Sequence, residues 1–299
     1  MSNAIRYFKA LSDETRLRLT YVLERYELSV NELVSILEMG QSRVSLLSSR
    51  RDGLWVFYSS VKEGEGAAFL KAAMPFLDED AEMRADVEMA ARIIEDRALK
   101  TRQFFNTIAE HWDTLSREVL GGFDLAGAVC DTMPEGCDTS VDLGCGTGIV
   151  LERMRGRARQ IIGVDGSPRM LELSRRRLAG VEGEPEGVSL RIGELSHLPL
   201  RDCEADFASI NMVLHHLSNP ENALAEIRRV LRSGGLLVVA DFDRHTQERM
   251  RLDYGDLWLG FDEATMARLL HAASFEGVST TRYPVEQGLA LNLTLARRL

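Results

Sequence analysis

The residues best placed to do chemistry form a short glycine-rich segment, Val141-Asp-Leu-Gly-Cys-Gly-Thr-Gly148. Glycines at alternate positions let the backbone approach a ligand closely, and a helix that begins directly afterwards presents its N–H groups there. The spacing is GxGxG, not the GxGxxG of dinucleotide-binding folds, and no Lys-Ser or Lys-Thr pair is present for a nucleoside triphosphate. The segment therefore predicts a loop for a different ligand.

Two carboxylates narrow the choice of that ligand. Asp142 stands just before the glycines, where it would repel a diphosphate. Asp165 ends the next apolar run, at about the distance where a carboxylate receives ribose hydroxyls. A nucleoside that carries a cation in place of phosphates suits both positions. S-adenosylmethionine, with its sulfonium and ammonium groups, is such a nucleoside.

A parallel sheet would bring these residues together. From Thr139 onward, short apolar runs alternate with helical patterns, and the runs cover residues 140–143, 160–164, 188–192, 205–210 and 235–240. This alternation is typical of an α/β, Rossmann-like fold, in which helices cover a parallel sheet and ligands bind at the carboxyl ends of the strands.

Over roughly residues 102–299 the sequence resembles the class I S-adenosylmethionine-dependent methyltransferases. The resemblance rests on residues 141–148, 161–170, 193–199, 211–216 and 231–235. It implies that the ligand is S-adenosylmethionine or S-adenosylhomocysteine and that one group of residues binds it: Asp142, Gly144, Cys145, Gly146, Gly148, Asp165, Gly166, Glu194, Leu195 and Asn211. In this set the loop holds the methionine part, Asp165 the ribose, and Glu194 with Leu195 the adenine edge. Glu194 stands where the family more often has aspartate.

Aromatic residues that precede the glycine loop are further candidates for the ligand site. Phe104 or Phe105, together with Trp112, could close over the ligand, and packing in a helical core is the alternative for at least one of them. We include Phe105 and Trp112 in the predicted site.

His215 and His216 are the candidates for catalysis, because histidine titrates near neutral pH and can act as a general base. An adjacent histidine pair is frequent here in related sequences that share no acceptor, so a structural or pocket-lining role is favoured. Methyl transfer can proceed largely by positioning, which leaves open whether the chain is an enzyme.

The first sixty residues have a different pattern, of short helices followed by a hairpin. One helix is predicted to begin at Ser12, which is followed by Asp13 and Glu14, and its expected buried face is Leu17, Leu19, Val22 and Leu23. Ser29 and Glu32 form a capping box that begins a second helix, in which the serine side chain is expected to accept from the Glu32 N–H while the glutamate reaches back to Ser29. The apolar stripe of this helix is Leu33, Ile36 and Leu37. Gly40 would end that helix, and Gln41 or Ser42 would begin the next. This order is that of a helix-turn-helix.

A hairpin follows, with strands predicted at 48–51 and 54–58 around an Asp-Gly turn. Arg50 and Arg51 precede the turn, where they could reach DNA phosphates as in the wing of a winged helix. The alternative is a small hairpin with a solvated charge pair.

Residues 3–60 resemble the ArsR family of dimeric winged-helix repressors, through segments 8–17, 28–33 and 41–45 and the Arg-Arg-Asp-Gly wing. The resemblance implies a homodimer that binds operator DNA through Gln41, Ser42, Arg43, Ser45, Arg50 and Arg51.

The recognition helix departs from the ArsR pattern. Family members continue after the serine with a histidine-containing stretch, whereas here Leu46 follows Ser45 directly. A recognition helix needs on the order of ten residues. Either a deletion has shortened it, or residues are missing from the sequence between Ser45 and Leu46. We favour the second explanation, because the rest of the module is intact.

No metal site is expected. The four cysteines, Cys130, Cys137, Cys145 and Cys203, make no CxxC pair, and the first sixty residues contain neither cysteine nor histidine.

The chain has 299 residues, 45% of them apolar, and a formal charge of −10, so two globular domains are expected and any DNA contact must come from a local basic patch. We predict a winged helix-turn-helix over residues 1–60, a helical dimerisation and connector region over 61–118, and the ligand-binding domain over 119–299. Apolar runs are too short to span a bilayer and no signal peptide is visible, which predicts a cytoplasmic protein.

Together these features predict a transcriptional repressor controlled by S-adenosylhomocysteine or S-adenosylmethionine, with a role in the methionine and S-adenosylmethionine cycle implied by resemblance. The alternative is an active methyltransferase on a small molecule with an attached DNA-binding domain. A third possibility is a fold that binds the adenosyl ligand only for stability.

Overall fold

A computed structural model describes residues 3–37, 47–52, 55–179 and 187–299 of the chain. The protein divides into two compact units, Met1–Leu99 and Lys100–Leu299. The boundary falls within the longest helix. The region 61–118, which the sequence predicted as a connector, is therefore divided between the two units.

The first unit combines short helices with a small antiparallel sheet. Its elements are α1 (Asn3–Ala10), α2 (Glu14–Leu23), β1 (Leu28–Ser29), α3 (Val30–Leu37), β2 (Leu47–Asp52), β3 (Trp55–Ser60), α4 (Gly64–Ala73) and the first part of α5 (Ala81–Ile108). The strand order is β1-β3-β2, and Asp52 pairs with Trp55 at the end of the β2–β3 hairpin. The predicted hairpin is confirmed for the described residues.

The apolar stripes of α2 and α3 meet in one core. Leu19, Val22 and Leu23 of α2 are buried with Leu33, Ile36 and Leu37 of α3 and with Ala90 of α5. Leu17, predicted on the same face of α2, is half-buried and packs in a neighbouring cluster.

Two polar caps begin these helices. Asp13 caps α2 by accepting a hydrogen bond from the Arg16 N–H at 3.0 Å. At α3, Glu32 accepts from the Ser29 N–H at 2.8 Å, as a capping box requires. The Ser29 hydroxyl donates to the same carboxylate at 2.7 Å, where the sequence predicted that it would accept from the backbone. The reason is that a carboxylate is the stronger acceptor.

The segment expected to read DNA lies outside the described residues. It comprises 38–46, which includes Gln41, Ser42, Arg43 and the junction of Ser45 with Leu46. The question of a shortened recognition helix therefore stays a prediction.

The second unit is a layered α/β fold. After the end of α5 come α6 (Trp112–Leu120), α7 (Leu125–Cys130), β4 (Cys137–Leu143), α8 (Ile149–Met154), β5 (Ala158–Asp165), α9 (Pro168–Ala179), β6 (Val188–Ile192), β7 (Ala205–Asn211), α10 (Pro220–Val230), β8 (Leu231–Phe242), α11 (Arg249–Asp253), α12 (Glu263–Ala272), β9 (Phe275–Pro284) and β10 (Ala290–Arg298). The sheet order is β6-β5-β4-β7-β8-β10-β9.

Neighbouring strands from β6 to β8 pair in parallel, whereas β10 pairs antiparallel with β8 and with β9. All five predicted strands are confirmed, and β9 and β10 were not predicted. Extensive apolar clusters are buried around this sheet. Because β4 and β5 are neighbours, their carboxyl ends bring Asp142 and Asp165 to one edge. Among the described residues, no helix combines the length and the apolar character that a membrane span requires.

Candidate ligand site of the second unit

The glycine loop between β4 and α8 has a backbone that favours glycine. Gly144, Gly146 and Gly148 have φ angles of 69°, 50° and 83°, in the left-handed region. A Cβ on Gly144 would lie 2.5 Å from Val213 Cγ2, which leaves no room for a side chain. The N–H groups of Gly144 and Cys145 donate to Val164 O at 2.8 and 3.0 Å and hold the loop against β5.

Asp142 lies buried at the end of β4. Its Oδ1 accepts from Ser209 Oγ at 2.7 Å and from Asn211 Nδ2 at 2.9 Å. Burial raises the pKa of Asp142 to about 7, although both hydrogen bonds act in the opposite direction. A cation placed beside this carboxylate would favour its charged form. The Oδ1 atom of Asn211 is also buried and has no hydrogen-bond partner among the described residues, so it can accept from a ligand.

Asp165 ends β5 and organises the glycine loop. Its Oδ2 accepts from the Gly146 N–H at 2.9 Å and its Oδ1 from the Ser167 N–H at 2.8 Å. Burial raises its pKa, against the effect of these backbone hydrogen bonds. A carboxylate has about four acceptor positions, so Asp165 keeps capacity for two hydroxyls. Sequence reasoning assigned it only to the ribose and missed its contact with the loop.

The residues expected at the adenine edge lie at the end of β6. Glu194 forms an ion pair with Arg102 of α5 at 2.8 Å, and both side chains are about half exposed. A Cβ on Gly166 would lie 4.0 Å from Glu194 Oε1, so Gly166 is close to this pair. Leu195 is half-buried against the core. Nothing in the sequence indicated Arg102, which is 92 residues away from its partner.

The segment from the end of α5 to α6 is hydrogen-bonded to both ligand loops. Asn106 Oδ1 accepts from Ser167 Oγ at 2.6 Å, and Ser167 lies two residues after Asp165 in the loop that follows β5. Asp113 accepts from Thr147 Oγ1 at 2.5 Å and also pairs with Arg177 of α9. Residues 106–113 are thereby fixed beside the glycine loop.

The aromatic residues of this segment lie near the glycine loop and the histidine pair. Trp112 lies near Gly146, with its Nε1 3.8 Å from the position of an added Cβ. Phe105 packs edge to face between Trp112 and His216, at centroid distances of 5.3 and 4.8 Å. Phe104 contacts Gly255 and the edge of Phe105.

A small cavity adjoins these residues. Its lining includes Trp112, Met212, His215, His216, Tyr254 and Asp256. Since Trp112 contacts both the cavity and the glycine loop, a molecule in the cavity would lie next to a ligand on that loop.

His215 and His216 are both buried but differ in charge. Burial opposes a charge on His215, yet Asp241 and Asp256 outweigh it and raise its pKa to about 9. Its Nδ1 lies 2.6 Å from Asp241 Oδ1. The pKa of His216 is lowered by burial and by the neighbouring His215. At neutral pH His215 is therefore protonated and cannot accept a proton, whereas His216 can.

In the first unit, Arg50 forms ion pairs with two nearby carboxylates. Its guanidinium pairs with Glu27 and Asp52, each at 2.9 Å, and lies over the ring of Phe57. A contact of Arg50 with phosphate would replace these partners. Arg51 is exposed.

Comparison with known proteins finds one family match in each of the two units. Residues 13–46 match the family "Bacterial regulatory protein, arsR family", and residues 141–239 match "Methyltransferase domain". A relative from Streptomyces fradiae, described as an uncharacterized 37.1 kDa protein in transposon TN4556, is 37% identical over 123 residues, which are 40% of this chain and 34% of that protein. The chain thus spans about a third of that relative.

A second relative covers more of both chains. The demethylmenaquinone methyltransferase of Desulfitobacterium hafniense is 28% identical over 212 residues, which are 65% of this chain and 80% of the relative. Among solved structures, a SAM-dependent methyltransferase of Thermotoga maritima, described as a possible histamine N-methyltransferase, has a TM-score of 0.53 at 24% identity and covers 67% of this chain and 100% of its own. That likeness concerns the fold. The protein therefore joins a helix-turn-helix segment of the ArsR family to a methyltransferase domain of the class I fold.

Proposed function

We propose that the protein is a DNA-binding transcriptional repressor, a cytoplasmic homodimer whose methyltransferase domain binds S-adenosylhomocysteine or S-adenosylmethionine as the controlling signal, in the cycle that makes and consumes these compounds. The methyltransferase domain implies an adenosyl ligand, and the ArsR segment suggests DNA as the other partner.

The observation that carries the proposal is the set of contacts made by α5. Near its middle, Arg97 donates to Glu32 Oε1 at 2.7 Å, and Glu32 is the residue that caps α3 of the helix-turn-helix. Further along the same helix, Arg102 pairs with Glu194 and Asn106 bonds Ser167. A ligand that displaces residues 102–106 would act on a helix that also holds α3.

The test is to measure DNA affinity with and without each adenosyl ligand. The full chain would first select its DNA from random sequences, and fluorescence anisotropy would then give the affinity at fixed salt. We expect saturating S-adenosylhomocysteine or S-adenosylmethionine to change that affinity about 5- to 150-fold, and DNA to change the ligand affinity by the same factor. Equal DNA affinity with and without both ligands would exclude ligand control.

Two variants separate ligand binding from its transmission. Asp165→Ala should abolish ligand binding and leave DNA binding insensitive to ligand. Asn106→Ala should retain ligand binding but reduce the coupling, because it removes the contact of α5 with Ser167. Asp131→Ala, at an exposed carboxylate paired with Arg157, is the matched control and should behave as the parent protein.

An active methyltransferase is the second candidate. The cavity beside Trp112 supports it, because an acceptor there would lie next to the bound ligand and near the neutral His216. The substrate would be a small molecule, and a relative's name makes demethylated quinols the first acceptors to try. Conversion of S-adenosylmethionine to S-adenosylhomocysteine that depends on an added acceptor would establish this activity. If no acceptor supports this conversion and DNA binding responds to the ligand, the protein is a ligand-controlled repressor without methyltransferase activity.

A further inference from the structure

We propose that His215, His216 and Asp256 form a binding site for one divalent transition-metal ion of the zinc class, with a coordination position open to the cavity of the second unit. The site requires no property of the DNA-binding unit and no particular adenosyl ligand.

The three side chains already have the spacing of a metal site. One ligand atom from each lies within 4.8 Å of the others, and all three residues are buried. His215 Nε2 is 3.6 Å from Asp256 Oδ1, and the ring of His216 is close to the same oxygen, with its Nδ1 at 3.9 Å. Two ligand atoms bound to one tetrahedral zinc ion stand roughly 3.3 Å apart, given bonds of about 2.0–2.1 Å. Because these atoms are separated by up to 4.8 Å, the side chains would have to approach one another by up to about 1.5 Å to complete the coordination.

The other nitrogen of His215 is held as in known metal sites. Its Nδ1 lies 2.6 Å from Asp241 Oδ1, so Nδ1 donates its proton to this carboxylate when an ion takes the lone pair of Nε2. Such a carboxylate behind a ligating histidine fixes the ring and increases its basicity. Asp241 is itself fixed, because its Oδ1 accepts from the Phe242 N–H at 2.7 Å.

His216 has a nitrogen that no described residue uses. Its Nδ1 is 3.2 Å from Gly255 O and can donate to it. Its Nε2 is buried and has no hydrogen-bond partner among the described residues. A buried acceptor without a partner is costly, and the imidazole can relieve that cost by turning a lone pair to an ion.

The charges of the cluster suit a divalent cation. Asp241 and Asp256 are buried, with 2% and 0% of their side chains exposed, so two carboxylates lie beside two imidazoles. Two histidines and one carboxylate favour zinc, iron(II), cobalt or nickel over magnesium or calcium, which prefer oxygen ligands.

The ion would face the space where an acceptor could lie. His215, His216 and Asp256 all line the cavity, and three protein ligands leave a position for water or for a substrate oxygen, as in catalytic zinc sites. The absence of a metal motif in the sequence does not conflict with this, because Asp256 is 40 positions beyond His216 and only the fold brings them together.

The test uses the full chain, stripped of metal by a chelator and titrated with Zn²⁺ or Co²⁺. Calorimetry should show one ion per chain, and Co²⁺ should give the intense visible absorption of a four-coordinate site. X-ray absorption of the zinc-loaded protein should show two imidazoles and oxygen but no sulfur. No binding, or a zinc shell that contains sulfur, would overturn the proposal, and neither measurement depends on a variant.

Variants then assign the site. Asp256→Asn and His216→Gln should each weaken binding at least about 100-fold, and Asp241→Asn about 10- to 100-fold, the range found for such supporting carboxylates. His271→Gln, at an exposed histidine, is the control and should bind as the parent does. Circular dichroism would verify that each variant is folded. Undiminished binding by folded Asp256→Asn and His216→Gln proteins would place the ion elsewhere and refute the proposal.

Discussion

At the scale of single residues, the buried carboxylates of the second unit are the groups that most closely link structure to ligand chemistry. Asp142 has little access to water, and burial raises its pKa to about 7, so about half of this carboxyl is protonated at neutral pH. The methionine part of the expected ligand carries an ammonium group, which would restore the charge. Ligand binding should therefore release a proton.

We predict that ligand affinity rises with pH up to about 7, the pKa of Asp142 in the unliganded protein. Below that value, each unit of pH should weaken binding by up to about tenfold, because the carboxyl must first lose its proton. Calorimetry in buffers of different ionisation enthalpy would measure both the affinity and the released proton. Asp142→Asn should bind with a flat pH profile, and Asp131→Asn should keep the slope. If ligand affinity in Asp142→Asn still depends on pH in the same way, another group is responsible for that dependence.

The contribution of Asp142 to the stability of the unliganded protein should fall as pH rises, whereas ligand affinity should rise. The folded pKa of Asp142 lies above its ordinary value of 3.8, so the folded state holds an extra proton between these values. Stability from this group is therefore greatest below about pH 3.8 and falls as pH rises towards 7.

Gly148 offers a second test at residue scale. Its φ is 83°, and a Cβ there would clash with Ser174 Oγ, a buried hydroxyl without a hydrogen-bond partner among the described residues. Gly148→Ala should cost about 1–2 kcal/mol for the backbone and about 1–3 kcal/mol more for the clash. Gly136→Ala, with φ 71° and open space, should show the backbone cost alone. In a Ser174→Ala background, the excess cost measured by urea denaturation should shrink. An unchanged excess would mean that the hydroxyl is not its cause.

At the scale of elements, sequence patterns predicted the five parallel strands, of which β4, β7 and the second half of β8 are mostly buried and β6 is only partly buried. The second half of β8, LLVVADF, is an almost continuous apolar run, and its burial follows from a parallel sheet covered by helices. β9 was not predicted because its sequence, FEGVSTTRYP, has few apolar residues and is largely exposed at the sheet edge. The glycine loop and Asp165 could be predicted as ligand-binding features because the spacing of neighbouring residues along the chain is enough to recognise them. The pairs Arg102–Glu194 and Asp113–Arg177 could not be predicted, because only the folded chain brings their members together.

The start of α3 should depend on Glu32. Its carboxylate accepts from the backbone and hydroxyl of Ser29 and pairs with Arg97. Burial opposes its charge, but Arg97 and Ser29 outweigh it and lower its pKa. Glu32→Gln should destabilise α3 by about 1 kcal/mol, the typical value of a helix cap. Hydrogen exchange of the α3 amides would measure this loss.

Two comparisons make that prediction specific. Glu88→Gln, at an exposed position of α5, should leave the exchange of α3 unchanged. Because the Glu32 pKa is lowered, its contribution should be complete above the ordinary value of 4.5 and lost as pH falls through the folded value. If Glu32→Gln and Glu88→Gln exchange alike, the cap does not stabilise α3.

At the scale of the whole molecule, assembly is the property that the DNA-binding proposal most needs. A winged helix that reads two symmetric half-sites acts as a dimer. The first unit has large apolar side chains on its surface, and Phe76 is the most exposed of them at 88%. It lies in the region 61–118, where the sequence predicted dimerisation.

We predict that the protein sediments as a dimer of 33.5 kDa chains and that Phe76→Ser weakens the dimer. Loss of a buried aromatic side chain from an interface costs at least about 1–2 kcal/mol, which is roughly a 5- to 30-fold increase in the dissociation constant. Analytical ultracentrifugation over a range of concentrations would measure it. Leu252→Ser removes a side chain that is 82% exposed in the second unit and serves as the matched control. A monomeric parent at every concentration would contradict the predicted dimer, and equal effects of both substitutions would move the interface away from Phe76. Weaker dimerisation should also weaken DNA binding in proportion, since each half-site would then be bound by a separate chain.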